Sequence, residues 1–184
     1  MIPDMRFRPK TSDTKGKRIF LCTLLLALAI FLVSLLLEAY QGVVQIVALV
    51  LITISLYFYN RYIATEYEYE ITTDNDGAPV FVVVAYQGKR TSTMCRIALW
   101  DVTAVKRYTP DALKARPQDK EVSIHKFTPS FSPDTVTVIS VRSTYEKSDL
   151  YIESSEEFDS YFLSLVAEAK SLRQSEVEDE SKER

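Results

Sequence analysis

The chain has 184 residues and carries 22 Lys and Arg against 25 Asp and Glu, with a single histidine. This length accommodates one ordinary domain and little more. The acidic balance argues against nucleic-acid binding, which needs clustered cations. Cys22 and Cys95 lie in unlike contexts, so they give neither a disulfide framework nor a metal-ligand spacing.

Two uncharged apolar runs, residues 19–37 and 42–59, follow the N-terminal segment. A helix rises about 1.5 Å per residue and the hydrocarbon layer is roughly 30 Å thick, so each run is close to the length that spans a bilayer. Buried core helices would show polar residues at every third or fourth position, and these runs do not. A cleaved signal peptide would have a shorter apolar core of about 7 to 15 residues. We therefore expect a transmembrane helical hairpin over residues 19–60.

The distribution of cations predicts the orientation of this hairpin. Six cations precede the first run, the turn EAYQ (38–41) has none, and Arg61 follows the second run. Because positive residues stay on the cytoplasmic side, both termini should be cytoplasmic in a multi-pass protein of the cell membrane. The same cations would also attract anionic headgroups, but a role in setting topology alone is the preferred interpretation. They are Arg6, Arg8, Lys10, Lys15, Lys17 and Arg18.

The sequence then changes to a period of two. In TEYEYEITT (65–73), Tyr67, Tyr69 and Ile71 would project from one face and the intervening glutamates from the other, which is typical of a half-buried strand. Turn residues separate this segment from further short runs rich in β-branched and aromatic residues. Seven strands are expected in all, the other six at residues 79–86, 89–99, 102–108, 122–127, 135–142 and 149–153.

The period changes again near the C-terminus. Phe158, Phe162, Leu165, Ala169 and Leu172 form one apolar stripe on a predicted helix. Ser154 followed by Glu157 suggests a capping box at its start. The last residues, SEVEDESKER, are highly charged and typical of a disordered tail. The expected organisation is a basic cytoplasmic segment (1–18), the hairpin (19–60), a cytoplasmic domain (65–173) and the tail (174–184).

Seven strands finished by one amphipathic helix resemble the pleckstrin-homology-like (PH-like) fold. The segments that carry the resemblance are YEYEIT (67–72), IALWDVTAV (97–105) and SEEFDSYFLSLV (155–166). With the hairpin in front, residues 1–173 resemble small bacterial membrane proteins that carry a bacterial PH-like domain. The final helix lacks the tryptophan often seen in PH helices, and Phe158 and Phe162 are the candidates for its place.

The resemblance implies an α+β fold. The two-helix transmembrane hairpin would be followed by a seven-stranded antiparallel bent sheet or partial barrel, closed by the C-terminal helix. It also implies membrane-tethered interaction or scaffolding rather than catalysis.

Binding of phosphoinositides is a further possibility that this fold suggests. In lipid-binding PH domains, basic groups gather on the loop between the first two strands, whereas here that loop is DNDG (74–77), which would repel phosphate. Residues 61–184 also hold 16 Lys and Arg against 22 Asp and Glu. Both features argue against specific headgroup binding. Around the next turn, Tyr86, Lys89, Arg90 and Arg96 form a candidate interaction patch, although a solvated hairpin explains the cations equally well.

The sequence does not indicate an enzyme, a cofactor or a metal site. DNDG resembles the start of an EF-hand, but Ala78 and Ala85 stand where calcium needs oxygen ligands. No nucleophile elbow, HExxH, CxxC or phosphate-binding glycine loop is present. Cys95 could act as a nucleophile only if the fold placed His125 beside it. We therefore expect no catalytic, cofactor-binding or metal-binding residues.

Two functional hypotheses remain. In the first, the hairpin tethers a PH-like module that captures a protein partner, or a second copy of itself, through an edge strand or the groove beside the helix. In the second, the chain is a small accessory subunit of a transporter or another membrane complex, and the hairpin is the assembling part. Gln45, Thr53 and Ser55 do not make one clean polar stripe, which favours the first hypothesis.

Overall fold

The computed structural model of the protein describes residues 5–9, 14–36, 40–143 and 147–182, with the backbone alone for 176–182. The helices are α1 (Thr14–Ser34), α2 (Gln41–Tyr62), α3 (Pro110–Ala115) and α4 (Glu156–Lys182). The strands are β1 (Met5–Phe7), β2 (Thr65–Thr73), β3 (Pro79–Gln87), β4 (Arg90–Ala98), β5 (Val102–Tyr108), β6 (Ser123–Lys126), β7 (Val136–Arg142) and β8 (Lys147–Ile152). This is an α+β chain with two long apolar helices first and one helix last, as predicted.

The chain divides into two compact units. The helical unit contains α1, α2 and the short segment Pro129–Ser132, and the sheet unit contains both sheets and α4.

In the helical unit, α1 and α2 pack through small residues. Gly16, Ala27 and Ser34 are the buried residues of α1, and Ala48 and Ser55 are those of α2. Their small side chains let two helix backbones approach closely. Many of the other side chains in the apolar windows are exposed, and only 11% of each window is buried. Both helices are long and apolar enough to cross a membrane.

In the sheet unit, the described residues form eight strands, arranged in two four-stranded sheets. The first has the order β1-β2-β3-β4 and the second the order β5-β7-β8-β6. All seven predicted strand segments are strands, but the expectation of a wholly antiparallel arrangement was wrong, because β6 pairs with β8 in parallel. The long connection from β5 through α3 brings the chain back to the far edge of the second sheet. No local pattern specifies that direction.

The eighth strand, β1, was not predicted. Met5, Arg6 and Phe7 pair antiparallel with Ile71, Glu70 and Tyr69 of β2. Three residues are too few to show a period, and the pairing depends on partners more than sixty residues away. As a result, α1 and α2 together form the connection between two neighbouring antiparallel strands.

One core joins the two sheets and α4. Tyr69, Phe81, Phe158 and Phe162 are among its fully buried side chains. Their rings lie in contact, with centroids 5.1 Å apart for Phe81 and Phe162 and 5.9 Å apart for Phe158 and Phe162. Phe7 of β1 reaches the same cluster at 4.9 Å from Phe158. The two α4 phenylalanines thus fill the centre of the domain, as the stripe predicted.

The start of α4 differs from the expected capping box. The hydroxyl of Ser155, not that of Ser154, accepts a hydrogen bond from the backbone N–H of Phe158 at 3.1 Å. The helix also runs on through Lys182, whereas a disordered tail was expected from residue 174. Residues 174–182 contain no Gly or Pro and are rich in Glu, a good helix former, so nothing in them stops the helix.

Replacing Phe162 with Ala should lower the free energy of unfolding by about 3–5 kcal/mol, because it empties the centre of the core. The adjacent Leu163 is 46% exposed, so Leu163→Ala is the matched control and should cost less than about 1 kcal/mol. Denaturant unfolding in detergent, followed by Trp100 fluorescence, measures both. Similar losses in the two variants would contradict this description of the core.

The β1–β2 register is tested by a disulfide. In a background without Cys22 and Cys95, Arg6→Cys with Glu70→Cys should form an intrachain bond on oxidation, since directly opposed residues have Cα atoms about 4.5–5.5 Å apart. Arg6→Cys with Glu66→Cys is the control, because Glu66 lies about 13 Å further along the strand. Mass spectrometry of the linked peptides distinguishes the two, and equal linkage would refute the register.

Candidate interaction surfaces

The predicted patch does not form one surface. Arg90 lies opposite Gln87 at the end of the β3–β4 ladder, whereas Arg96 lies opposite Val82, several residues further along. A bulge between Val83 and Val84 separates these positions. Arg96 instead forms an ion pair with Asp74 at 2.7 Å. Only Lys89 and Arg90 remain together as exposed cations of the turn.

The side chain of Tyr86 makes contacts within the first sheet. The guanidinium of Arg8 lies over its ring, 4.9 Å from the centroid. Desolvation by burial raises the pKa of Tyr86, and a hydrogen bond with Glu68 raises it further. Arg8 also pairs with Glu68 at 3.3 Å. The tyrosine therefore helps to hold Arg8, and with it the end of β1, against the first sheet.

The predicted topology cations divide into two groups. Arg6 and Arg8 belong to the sheet unit, where Arg6 pairs with Glu70 at 3.3 Å and Arg8 with Glu68. Lys15, Lys17 and Arg18 are exposed on the first turns of α1, and Lys10 lies outside the described residues. The pairing of Arg6 and Arg8 could not be predicted, because it depends on the unpredicted strand β1.

A groove between β5 and α4 offers a better candidate surface. It has a volume of about 210 Å³ and is lined by Val102–Val105 on the strand side and by Leu163, Val166, Ala167 and Lys170 on the helix side. Within the part of the chain that the structure describes, β5 pairs with β7 alone and forms an edge of the second sheet. Its other side therefore presents backbone N–H and C=O groups, the requirement for addition of a further strand.

The strand side of the groove is held in place by contacts between β5 and β7. The β5–β7 register shifts between Val102 and Ala104, and the hydroxyl of Thr103 donates a hydrogen bond to the Ser140 carbonyl at 3.0 Å. Val102 and Val166 are buried, whereas Leu163 remains 46% exposed. The groove thus has a packed floor, and its rim combines the apolar Leu163 with Lys170. A groove beside the helix was expected from the sequence, but its residues could not be named in advance because they come from segments about sixty residues apart.

A polar cluster on the second sheet was missed by the sequence analysis. Arg116, in the loop after α3, pairs with Asp149 of β8 at 2.9 Å, and the Asp149 side chain is only 7% exposed. The guanidinium also lies 5.7 Å from the Tyr108 ring centroid. Burial raises the pKa of Tyr151, while the adjacent charge of Arg116 acts in the opposite direction. The cluster holds the α3 loop against the sheet.

The cavity beside this cluster is small. Its volume is about 50 Å³, which suits a few water molecules rather than an organic ligand of ordinary size. Asp149 Oδ1 and Arg116 Nη1 are buried there without a hydrogen-bond partner among the described residues. The arrangement is that of a structural ion pair.

A second missed cluster secures the start of α4. Arg107 of β5 pairs with Glu156 at 3.3 Å and with Asp159 at 3.4 Å, and its guanidinium donates to the Ser154 carbonyl. The hydroxyl of Thr137 donates to Asp159 at 2.9 Å. These contacts connect β5, β7 and α4 at one end of the groove. They fix the helix that forms its second wall.

The residues weighed for catalysis lie on different sheets. Cys95 is on β4 and packs partly buried against the main core, while His125 is on β6 with its ring stacked on Phe127 at 6.3 Å. Among the described residues, no group of three or more His, Cys, Asp or Glu is placed to hold a metal ion. DNDG forms a tight turn in which Gly77, at φ 79°, donates its N–H to the Asp74 carbonyl.

No protein-family model matches the chain. Neither the curated proteins nor the solved structures include one of significant similarity.

The raised pKa of Tyr151 predicts a pH dependence of stability. Its ordinary value is 10.0, so above about pH 10 the unfolded chain loses this proton before the folded one, and stability falls as pH rises. Tyr151→Phe should therefore make the decline above about pH 10 shallower, while the two proteins run parallel at lower pH. Denaturant midpoints in detergent across this range measure the effect, and equal slopes above pH 10 would argue against it.

Proposed function

We propose that the chain is a non-catalytic interaction or scaffolding module, anchored in a bacterial cell membrane by its helical hairpin and carrying a PH-like domain on the cytoplasmic side. The observation that carries this proposal is the outward-facing apolar surface of α1 and α2, combined with a sheet unit that closes its own core. The PH-like assignment is supported by two strongly paired sheets and a C-terminal helix that fills the space between them.

Exposure of the helices supports a bilayer as their surroundings. Leu25 is 56% exposed, Val43 65% and Ile46 64%, and similar values recur along both helices. A core helix of a water-soluble protein would bury most of such side chains. Exposed apolar area costs about 25 cal/mol per Å² in water, and patches above roughly 300–600 Å² are unusual on soluble monomers. Lipid removes that cost, and the two helices satisfy their own backbone groups.

The β1–β2 pairing supports the proposed topology. Residues before α1 and residues after α2 belong to neighbouring strands, so both ends of the hairpin return to one sheet. If the helices span a bilayer, both ends must lie on the same side of it. The cations Lys15, Lys17 and Arg18 beside this end support the cytoplasm as that side.

The groove between β5 and α4 is the proposed capture site, and its occupant is an extended segment of a protein partner. Such a segment would add a strand to β5 and place apolar side chains against Leu163 and Val166. Lys170 at the rim favours an acidic residue in the segment. Attachment to the membrane would raise the local concentration of partners that share the bilayer.

The accessory-subunit hypothesis has less support. Polar groups that could mediate assembly with other spans form hydrogen bonds inside the hairpin. The hydroxyl of Ser55 donates to the Phe20 carbonyl at 3.3 Å. The hydroxyl of Thr53 donates to the Leu49 carbonyl at 3.0 Å. We therefore keep the capture module as the single proposal.

The test is photocrosslinking in native membranes from a photoreactive residue at Ala167, followed by mass spectrometry. We expect a defined protein partner whose crosslink is lost in Leu163→Asp, since a buried carboxylate in the groove would disfavour an apolar segment. Ser164→Asp, exposed on the same helix, is the matched control and should keep the crosslink. Crosslinks that persist in Leu163→Asp, or that reach lipid alone, would contradict the proposal.

A further inference from the structure

An aromatic cluster in the helical unit includes one residue from a distant part of the sequence. Phe131 belongs to the loop between β6 and β7, yet Pro129–Ser132 groups with α1 and α2. The Phe131 ring lies 5.3 Å from that of Tyr62, edge to face, and 5.6 Å from that of Phe58. All three residues are therefore neighbours at one end of α2.

This end of the hairpin is also its cationic end. Tyr59 of α2 lies 5.4 Å from Phe20 of α1, ring to ring, so the first turns of α1 are level with the last turns of α2. Lys15, Lys17 and Arg18 precede Phe20, and Arg61 follows Tyr59. Residues 19–60 contain no Lys or Arg at all, so positive charge is confined to one end.

The loop itself is divided into a buried base and an exposed tip. Pro129 and Ser130 are buried, whereas Phe131 is 41% exposed and Ser132 is exposed. The Lys15 ammonium approaches the Ser132 hydroxyl at 3.5 Å, the long limit for a hydrogen bond. The base of the loop is thus buried, and its exposed Phe131 lies beside the aromatic residues at the end of α2. This helix is long and apolar enough to cross a membrane.

We propose that the tip of this loop, Phe131–Ser132, is a membrane-interface anchor that contacts the lipid surface at the level of the headgroups. Aromatic rings and cations together mark the boundary between hydrocarbon and water, where a ring can be half buried while neighbouring cations meet anionic headgroups. At this boundary, the exposed ring of Phe131 lies next to the rings of Phe58 and Tyr62. Its partner is therefore an anionic lipid leaflet, and the inference rests on the proposed membrane location of the hairpin.

The experiment places a tryptophan at the tip. Phe131→Trp in a Trp100→Phe background carries one indole, and the protein is reconstituted in nanodiscs of phosphatidylcholine and phosphatidylglycerol, with or without bromine on the upper acyl carbons. We expect blue-shifted emission that loses most of its intensity in the brominated discs. Tyr57→Trp in the same background, at a 62% exposed position of α2, is the matched control for the helix itself.

The outcomes separate the two proposals. Quenching of both indoles supports the anchor. Quenching at position 57 with red-shifted, unquenched emission at 131 places the loop in water and overturns the anchor alone. Blue-shifted but unquenched emission at 131 means that protein, from a partner or a second copy, covers the ring, and this also overturns it. Absence of quenching at position 57 overturns the membrane location on which the anchor rests.

Discussion

The ladder between Met5–Phe7 and β2 is the constraint on which much of the molecule depends. It requires a segment that precedes α1 to lie beside a segment that follows α2, so the helices must return to where they began. Neighbouring strands lie about 4.8 Å apart, so the two ends of the helical hairpin are tied through the chain to adjacent positions of one sheet.

The segment from Arg6 to Arg8 connects two kinds of interaction. On the outer face, Arg6 and Arg8 pair with glutamates of β2, and such exposed ion pairs contribute little, about 0–1 kcal/mol each. On the inner face, the partly buried Phe7 packs against Tyr69 and Phe158, and full burial of a large side chain contributes about 1.5–3 kcal/mol. The apolar contacts therefore contribute more to the stability of β1 than the ion pairs do, and the ion pairs specify its register. Through Phe158, the first strand of the chain also helps to seat the last helix.

The spacing of apolar residues within a short segment predicted the elements whose buried face is set by that spacing. The alternation of Tyr67, Tyr69 and Ile71 with glutamates predicted β2, and the stripe from Phe158 to Ala169 predicted the buried face of α4. The stripe failed at Leu172, which is 49% exposed, because the helix extends past the core it covers.

What could not be predicted requires knowledge of distant neighbours. The sequence interval between β5 and β6 does not reveal that β6 runs parallel to β8. The Arg116–Asp149 pair and the Arg107 cluster join residues from separate strands and loops, and nothing around each residue marks its partner. The contacts of the candidate patch also depend on distant residues: Arg8 lies over the Tyr86 ring, and Asp74 pairs with Arg96. Phe131 stood in a proline-containing loop whose place beside Phe58 only the fold establishes.

The position of β1 also affects the order of events during synthesis. This strand leaves the ribosome before either apolar helix, but its partner emerges only after both. The first sheet therefore cannot close until both helices have been synthesised, because β2 follows them in the chain. The arginines and the short length of β1 make it poorly suited to pairing with other chains before then. Closure of the first sheet is thus a late event, although it uses the strand that is synthesised first.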